Sequence, residues 1–165
     1  MTLAFTAFNI YVRMDKDGIK NLMTETPHFD ELDHNEVDML AHYLEYKKVI
    51  AGTVLIKEGQ VGDTLFYILS GKVEIRVESM SAQTHALTER GKGYTIGELA
   101  VVGLSNIRSA TVTAVDETAL LLLTKQQYEN LIEKHPKTAL KILKSITAQL
   151  SQRIHELSGQ VADFL

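Results

Sequence analysis

A chain of 165 residues and 18.4 kDa has the size of one domain, and its 45% hydrophobic content is enough to bury a proper core, which excludes an intrinsically disordered chain. Seventeen Lys and Arg against 21 Asp and Glu leave a formal charge of -4 at pH 7, so the electrostatic footprint of a nucleic-acid binder is missing. Without cysteine, disulfides and thiolate metal centres are excluded, while the compartment stays open.

Residues 1–13, MTLAFTAFNIYVR, are apolar but lack the basic start of a signal peptide. Thr6 and Asn9 interrupt them, and no run approaches the roughly 18 apolar residues of a membrane helix. We expect a strand-like arm packed on its own domain or on another subunit, and no membrane partner. Ile19, Leu22 and Met23 recur at helical spacing, which predicts a short helix over Asp15–Met23 that Pro27 ends. Asp33 has the chemistry of an N-cap for a second helix, expected from His34 to Tyr46 with Val37, Leu40, Ala41 and Leu44 on one face.

After Lys48 the pattern changes to short apolar runs broken by glycine, over residues 49–59, 63–71, 72–79, 84–91, 107–117 and 119–124. Such spacing predicts a β-barrel or roll. Ser70-Gly71 is the best hairpin turn. Leu65, Tyr67 and Leu69 alternate with Phe66, Ile68 and Ser70, so that strand is apolar on both faces and belongs in the middle of a sheet. Val73, Ile75 and Val77 alternate with charged residues, giving a strand with one wet face.

From Lys125 the chain becomes helical again, with one helix to Lys134 and another opening at Pro136, where proline suits a first turn. Leu140, Leu143, Thr147, Leu150, Ile154, Leu157, Val161 and Phe164 form a heptad seam suited to a partner helix, hence a homodimer. Ile142 and Ile146 lie off that seam and are expected to cover the β domain. Gly159 argues for fraying near the end.

Chemistry concentrates between Arg90 and Ala114. Gly97-Glu98-Leu99-Ala100 reads as one helical turn, and Arg108-Ser109-Ala110-Thr111 returns a guanidinium to the same place. A cyclic phosphodiester with a neighbouring ribose hydroxyl needs a bidentate cation, backbone donors and an acceptor. Arg108, the N–H groups opening at Gly97, and Glu98 can supply these in that order, with Ser109 adding a hydroxyl at the phosphate.

These residues resemble the phosphate-binding cassette of the cyclic-nucleotide-binding domains found in the catabolite activator protein, protein kinase regulatory subunits and cyclic-nucleotide-gated channels. The likeness extends over Ala51-Gly52-Thr53-Val54-Leu55, Lys57-Glu58-Gly59, Gly62 to Ile68 and Ser70-Gly71-Lys72-Val73, hence roughly Phe29 to Leu157. It implies a mainly β fold with flanking helices, an eight-stranded β-roll of jelly-roll type with N-terminal helices and a long C-terminal helix. The implied ligand site is Gly97, Glu98, Leu99, Ala100, Arg108, Ser109 and Ala110, with Arg108 on the phosphate and Glu98 on the ribose 2′-hydroxyl. Where the family has an aromatic before the Gly-Glu pair, this chain has Ile96. Arg153, Ile154, Leu157 and Ser158 on the last helix are within range of the base. Cyclic AMP is expected ahead of cyclic GMP, with cyclic di-GMP, or a ligand-free interaction module, as alternatives.

The organisation then expected is an arm and short helix over 1–28, the ligand-binding roll over 29–135, and a helix over 136–165 acting as lid and dimer contact. The family's bacterial DNA-reading winged helix would follow that helix, and the sequence stops at Leu165. A cytoplasmic sensor acting through a partner protein, or part of a longer chain, is expected, with no nucleic-acid contact. A metal enzyme is not: His28, His34, His42, His85, His135 and His155 lack the His-x-His spacing of a metal cupin and read as surface or helix-end residues. G-x-S-x-G, P-loop and H-E-x-x-H motifs are also missing, so neither catalysis nor a metal or other cofactor is expected. The remaining alternative makes Glu98 and Arg108 a simple ion pair in a roll without a ligand.

Overall fold

The computed structural model describes residues 14–78, 85–103 and 105–162. The apolar arm of residues 1–13, Phe164 and the side chains of His85 and Val161 lie outside what is described. The expected first helix is α1, Lys16–Thr24, whose N-cap Asp15 accepts from the Gly18 N–H; Pro27 then opens a 3-10 turn over Pro27–Phe29. Asp33 caps α2, His34–Leu40, in a reciprocal capping box with Glu36.

That second helix is shorter than its sequence pattern predicts. Residues Glu45–Val49 form strand β1 instead, antiparallel to β8 (Thr118–Thr124), with Tyr46 opposite Leu121. Backbone pairing along the apolar β8 outweighs the local helical pattern, and Leu44 remains buried although it has left the helix. Between them run β2 (Val54–Ile56), β3 (Thr64–Ser70), β4 (Lys72–Glu78), β5 (His85–Gly91), β6 (Thr95–Ile96) and β7 (Thr111–Ala114). Strand β6 is two residues long and has no signature in the sequence, while the run over 107–117 yields only the four residues of β7.

The eight strands make two antiparallel four-stranded sheets, ordered β1-β8-β3-β6 and β2-β7-β4-β5. Strand β3 sits inside the first sheet as expected, and its two apolar faces feed two cores. Leu65, Tyr67 and Leu69 pack with Ile19, Leu40, Leu131 and Ile142 in a helical layer, whereas Phe66 and Ile68 join Val73, Ile96, Val112 and Leu120 between the sheets. The roll is therefore closed by a sheet on one side and by helices on the other.

The helical layer is completed by α4 (Lys125–Lys134) and α5 (Pro136–Ala162). Ala139, Ile142 and Ile146 of α5 are buried on the roll, the division of labour its off-seam stripe predicts. Of the seam itself, Leu140, Ile154 and Leu157 are 57%, 65% and 58% exposed, while Leu150 is half-buried against the roll's own core. Lys141 fastens α5 to α2 through a 2.6 Å bond to Glu36, and to the turn before α2 through a 2.9 Å bond to the Glu31 carbonyl.

His28 corrects the expectation that all six histidines lie at the surface or at helix ends. It is 8% exposed, with Nδ1 2.9 Å from Ser145 Oγ, Nε2 3.0 Å from the Gly93 carbonyl, and its ring tilted on Tyr67. Packing between the 3-10 turn and α5, a long-range contact, decides its burial. Desolvation dominates its pKa and lowers it, with the Arg153 charge acting in the same direction and the Gly93 carbonyl and Asp30 opposing. Because the unfolded chain protonates first, the stability held by neutral His28 is complete above about pH 6.5 and is lost as pH falls through the lower folded-state value. A His28→Gln variant, which cannot titrate, should lose less of its melting temperature between about pH 7 and 5 than the parent chain. Parallel melting curves would remove His28 as the cause.

Candidate functional site

Two loops meet at one end of the roll. Gly97 ends β6 with φ 75°, and a four-residue helix α3, Leu99–Val102, follows from Glu98. The Ala100 N–H turns back to the Gly97 carbonyl at 3.3 Å, so the helical turn expected over 97–100 starts slightly later. Opposite it, the segment before β7 is held by the turn at 57–62: Gly59 N–H donates to the Arg108 carbonyl at 2.9 Å, and Arg108 N–H donates to the Gln60 carbonyl at 2.8 Å.

The Arg108 side chain crosses from one loop to the other. Its Nη2 donates to the Thr64 carbonyl at 2.8 Å and Nη1 to the Gly97 carbonyl at 3.1 Å. Burial is the larger influence on this guanidinium and lowers its pKa, the charges of Asp63 and Glu98 oppose it, and it stays protonated. Two glycines make room for it. A Cβ on Gly62 would stand 1.9 Å from Arg108 Nε, and one on Gly97 would stand 2.5 Å from Arg108 Nη1 and 2.8 Å from the Thr64 carbonyl, in a backbone conformation that L-residues avoid. Gly97→Ala is accordingly expected to lower stability by about 1–3 kcal/mol and to displace Arg108. A melting temperature equal to that of the parent would show that the loop relaxes freely.

Glu98 is 7% exposed, and its partner is not Arg108: Oε1 accepts from Arg153 Nη1 of α5 at 2.8 Å. The simple Glu98–Arg108 pair is thus not what the geometry contains. Arg153 also donates through Nη2 to the Thr95 carbonyl and to Gln149 Oε1, and its buried Nε has no acceptor among the described residues. A buried donor without a partner costs about 1–3 kcal/mol, which an incoming acceptor would recover.

Around these groups lies a cavity of about 120 Å³ that opens to solvent. All seven residues of the expected ligand site line it: Gly97, Glu98, Leu99, Ala100, Arg108, Ser109 and Ala110. Of the four expected base contacts, Arg153 lines it, at the carboxylate, whereas Ile154, Leu157 and Ser158 lie on the exposed side of α5, outside the cavity of this chain. The remaining wall is apolar, from Ile56, Ile75, Ile96, Ile107 and Val112. Sequence reasoning assigned these no role, although strand alternation already turned Ile75 inward; Ile96, where the family carries an aromatic, is part of the inter-sheet core. Two guanidinium groups, of which Arg153 is paired with the single carboxylate Glu98 and Arg108 is not, together with the Ser109 hydroxyl in an apolar cleft, suit a small anionic ligand that also carries a hydroxyl. Among the described residues no group of His, Asp and Glu is arranged to hold a metal ion, and no helix is long and apolar enough to cross a membrane.

Residues 46–135 match the family model described as cyclic nucleotide-binding domain. The chain belongs to this family. Cyclic nucleotide-binding domains of similar sequence include the cyclic AMP receptor protein of Thermus thermophilus, 30% identical over 134 residues, with 81% of this chain and 60% of that protein covered. The Pycsar effector protein XpPycTIR of Xanthomonas perforans is 28% identical over 116 residues, with 70% of this chain and 37% of that protein covered. Among solved structures, the catabolite activator protein of Thermus thermophilus superposes with a TM-score of 0.69 at 26% identity, covering 84% of this chain and 63% of that one. This chain therefore spans less than two thirds of these relatives, and for the lysophospholipase nte1 of Neurospora crassa, 30% identical over 115 residues (70% of this chain), it spans 8%. A regulatory cyclic nucleotide-binding domain is the common element; enzymes such as that lysophospholipase contain a matching segment.

Proposed function

We propose that the chain is a sensor for a cyclic nucleotide, cyclic AMP ahead of cyclic GMP, which docks its phosphate on Arg108 and Ser109 and its ribose 2′-hydroxyl on Glu98. The observation that carries this reading is the cavity in which Arg108 and Glu98 stand on facing loops, with an apolar wall of isoleucine and valine side chains beside them. Glu98 gives one oxygen to Arg153, leaving the other to accept from a hydroxyl, and the unpartnered Arg153 Nε is a further donor for the ligand. Arg108, tied to the Thr64 and Gly97 carbonyls, exchanges those bonds for a charge-assisted pair with the phosphate.

Ligand capture draws the 97–111 segment inward, and because Arg153 links Glu98 to α5, the same event repositions the C-terminal helix as a population shift. The helix α5 serves as lid and, through its exposed seam, as the contact of a homodimer; Ile154, Leu157 and Ser158 reach a base from that helix on either protomer. The signal passes to a partner protein in the cytoplasm, with the chain itself neither catalytic nor in contact with nucleic acid. Titration calorimetry with cyclic AMP, cyclic GMP and cyclic di-GMP tests the reading. Heat with cyclic AMP, weaker with cyclic GMP, is the expected result; heat with cyclic di-GMP alone assigns another ligand, and silence from all three favours a ligand-free interaction module.

A further inference from the structure

Sequence reading gave Gln149 no role, and it lines no part of the cavity. Its amide nevertheless binds both supports of the Glu98–Arg153 pair. Gln149 Oε1 accepts from the Thr95 N–H at 2.7 Å, from Thr95 Oγ1 at 2.6 Å and from Arg153 Nη2 at 3.1 Å. On its other side, Nε2 donates to the Gly93 carbonyl at 2.9 Å and lies 3.2 Å from His28 Nε2.

Thr95 is fully buried and opens β6, the short strand that delivers Gly97 and Glu98 to the cavity. Arg153 stands one turn beyond Gln149 on α5, so one side chain sets both the strand that brings the carboxylate and the guanidinium that takes one of its oxygens. Beyond this point, the bonds of α5 to the roll among the described residues are those of Arg153 and a 3.4 Å pair between Glu156 and Arg90.

From this arrangement we infer that Gln149 is a positioning residue for ribose recognition: it fixes the direction of the Glu98 carboxylate and so sets the preference for a ribose over a 2′-deoxyribose ligand, without touching the nucleotide. The inference rests on the cyclic-nucleotide reading above. A carboxylate accepting a hydroxyl contributes about 1.5–3 kcal/mol, so the properly aimed site prefers cyclic AMP over its 2′-deoxy analogue by about tenfold or more.

The test uses the whole chain with Gln149→Leu, which removes every bond of the amide, and Gln149→Glu, which keeps the acceptors for Thr95 and Arg153 while losing the donor to Gly93. Without ligand, amide exchange over residues 94–98 and 150–158 should accelerate in Gln149→Leu and stay near the parent rate in Gln149→Glu. With ligand, the preference for cyclic AMP over 2′-deoxy cyclic AMP should collapse towards one in Gln149→Leu and return in Gln149→Glu, while affinity for the deoxy analogue changes by less than about threefold. A preference unchanged in Gln149→Leu, an equal loss for both ligands, or unaltered exchange would overturn the role of Gln149. If the parent chain binds neither nucleotide, the cyclic-nucleotide reading and ribose discrimination both fall, and the exchange data still report whether Gln149 holds the two segments.

Discussion

Arg108→Ala is expected to weaken cyclic AMP binding by about 2–4 kcal/mol, a loss of roughly thirtyfold to a thousandfold. The guanidinium is the cavity's cation nearest Ser109 in sequence, and Gly62 and Gly97 leave no side chain that could take its place. Alanine removes the phosphate's partner while leaving a low-dielectric pocket around the phosphate, which is why the cost exceeds that of a surface contact. Arg108→Lys should recover only part of the loss, because a point charge cannot make two parallel bonds. Glu98→Gln should cost less than Arg108→Ala, since an amide oxygen still accepts from the ribose. Equal affinity of the parent and Arg108→Ala would place the phosphate elsewhere, and a larger loss from Glu98→Gln would exchange the two roles.

The second large effect concerns association. Ile154→Glu combined with Leu157→Glu should turn a dimer into a monomer, raising the dissociation constant at least about a hundredfold, because each glutamate would have to be buried without a partner at the seam. These two positions are the clean ones, being 65% and 58% exposed in the single chain. A glutamate at Leu150 would also strike the roll's own core, where that side chain is half-buried, and confuse folding with association. Sedimentation velocity decides the matter: a double variant that stays dimeric, or a parent chain that is monomeric at every concentration, rules out the α5 seam as the contact.

What the sequence made legible was whatever local pattern determines. The apolar runs of β3 and β8, the cap at Asp33 and the two faces of α5 follow from periodicity and turn chemistry, and the structure contains each of them. The turn expected at Ser70-Gly71 is present, with Gly71 at φ 80°, but it is no hairpin: β3 and β4 on its two sides belong to different sheets, a long-range pairing that turn chemistry does not reveal. The cassette residues could be named from the groups a cyclic phosphodiester would need and from the family resemblance, and the structure brings all seven to one cavity. Long-range contact hid the remainder. Nothing within Glu45–Val49 announces that β8 will claim those residues as an edge strand, and β6 is too short to have a period. His28, Thr95, Gln149 and Arg153 are scattered over the chain and become a network only when the 3-10 turn, β6 and α5 meet. Arg153, read from sequence as a base contact, is for the same reason found on Glu98.

The most direct measurement is an arginine side-chain NMR spectrum of the isotope-labelled chain before and after cyclic AMP. If the nucleotide binds as described, the Nε–H signals of Arg108 and Arg153 shift at saturation, Arg108 through the new phosphate pair and Arg153 through an acceptor for its unpartnered Nε, while that of exposed Arg76 stays in place. Binding that leaves the Arg108 signal unmoved, or no binding at all, would contradict the account.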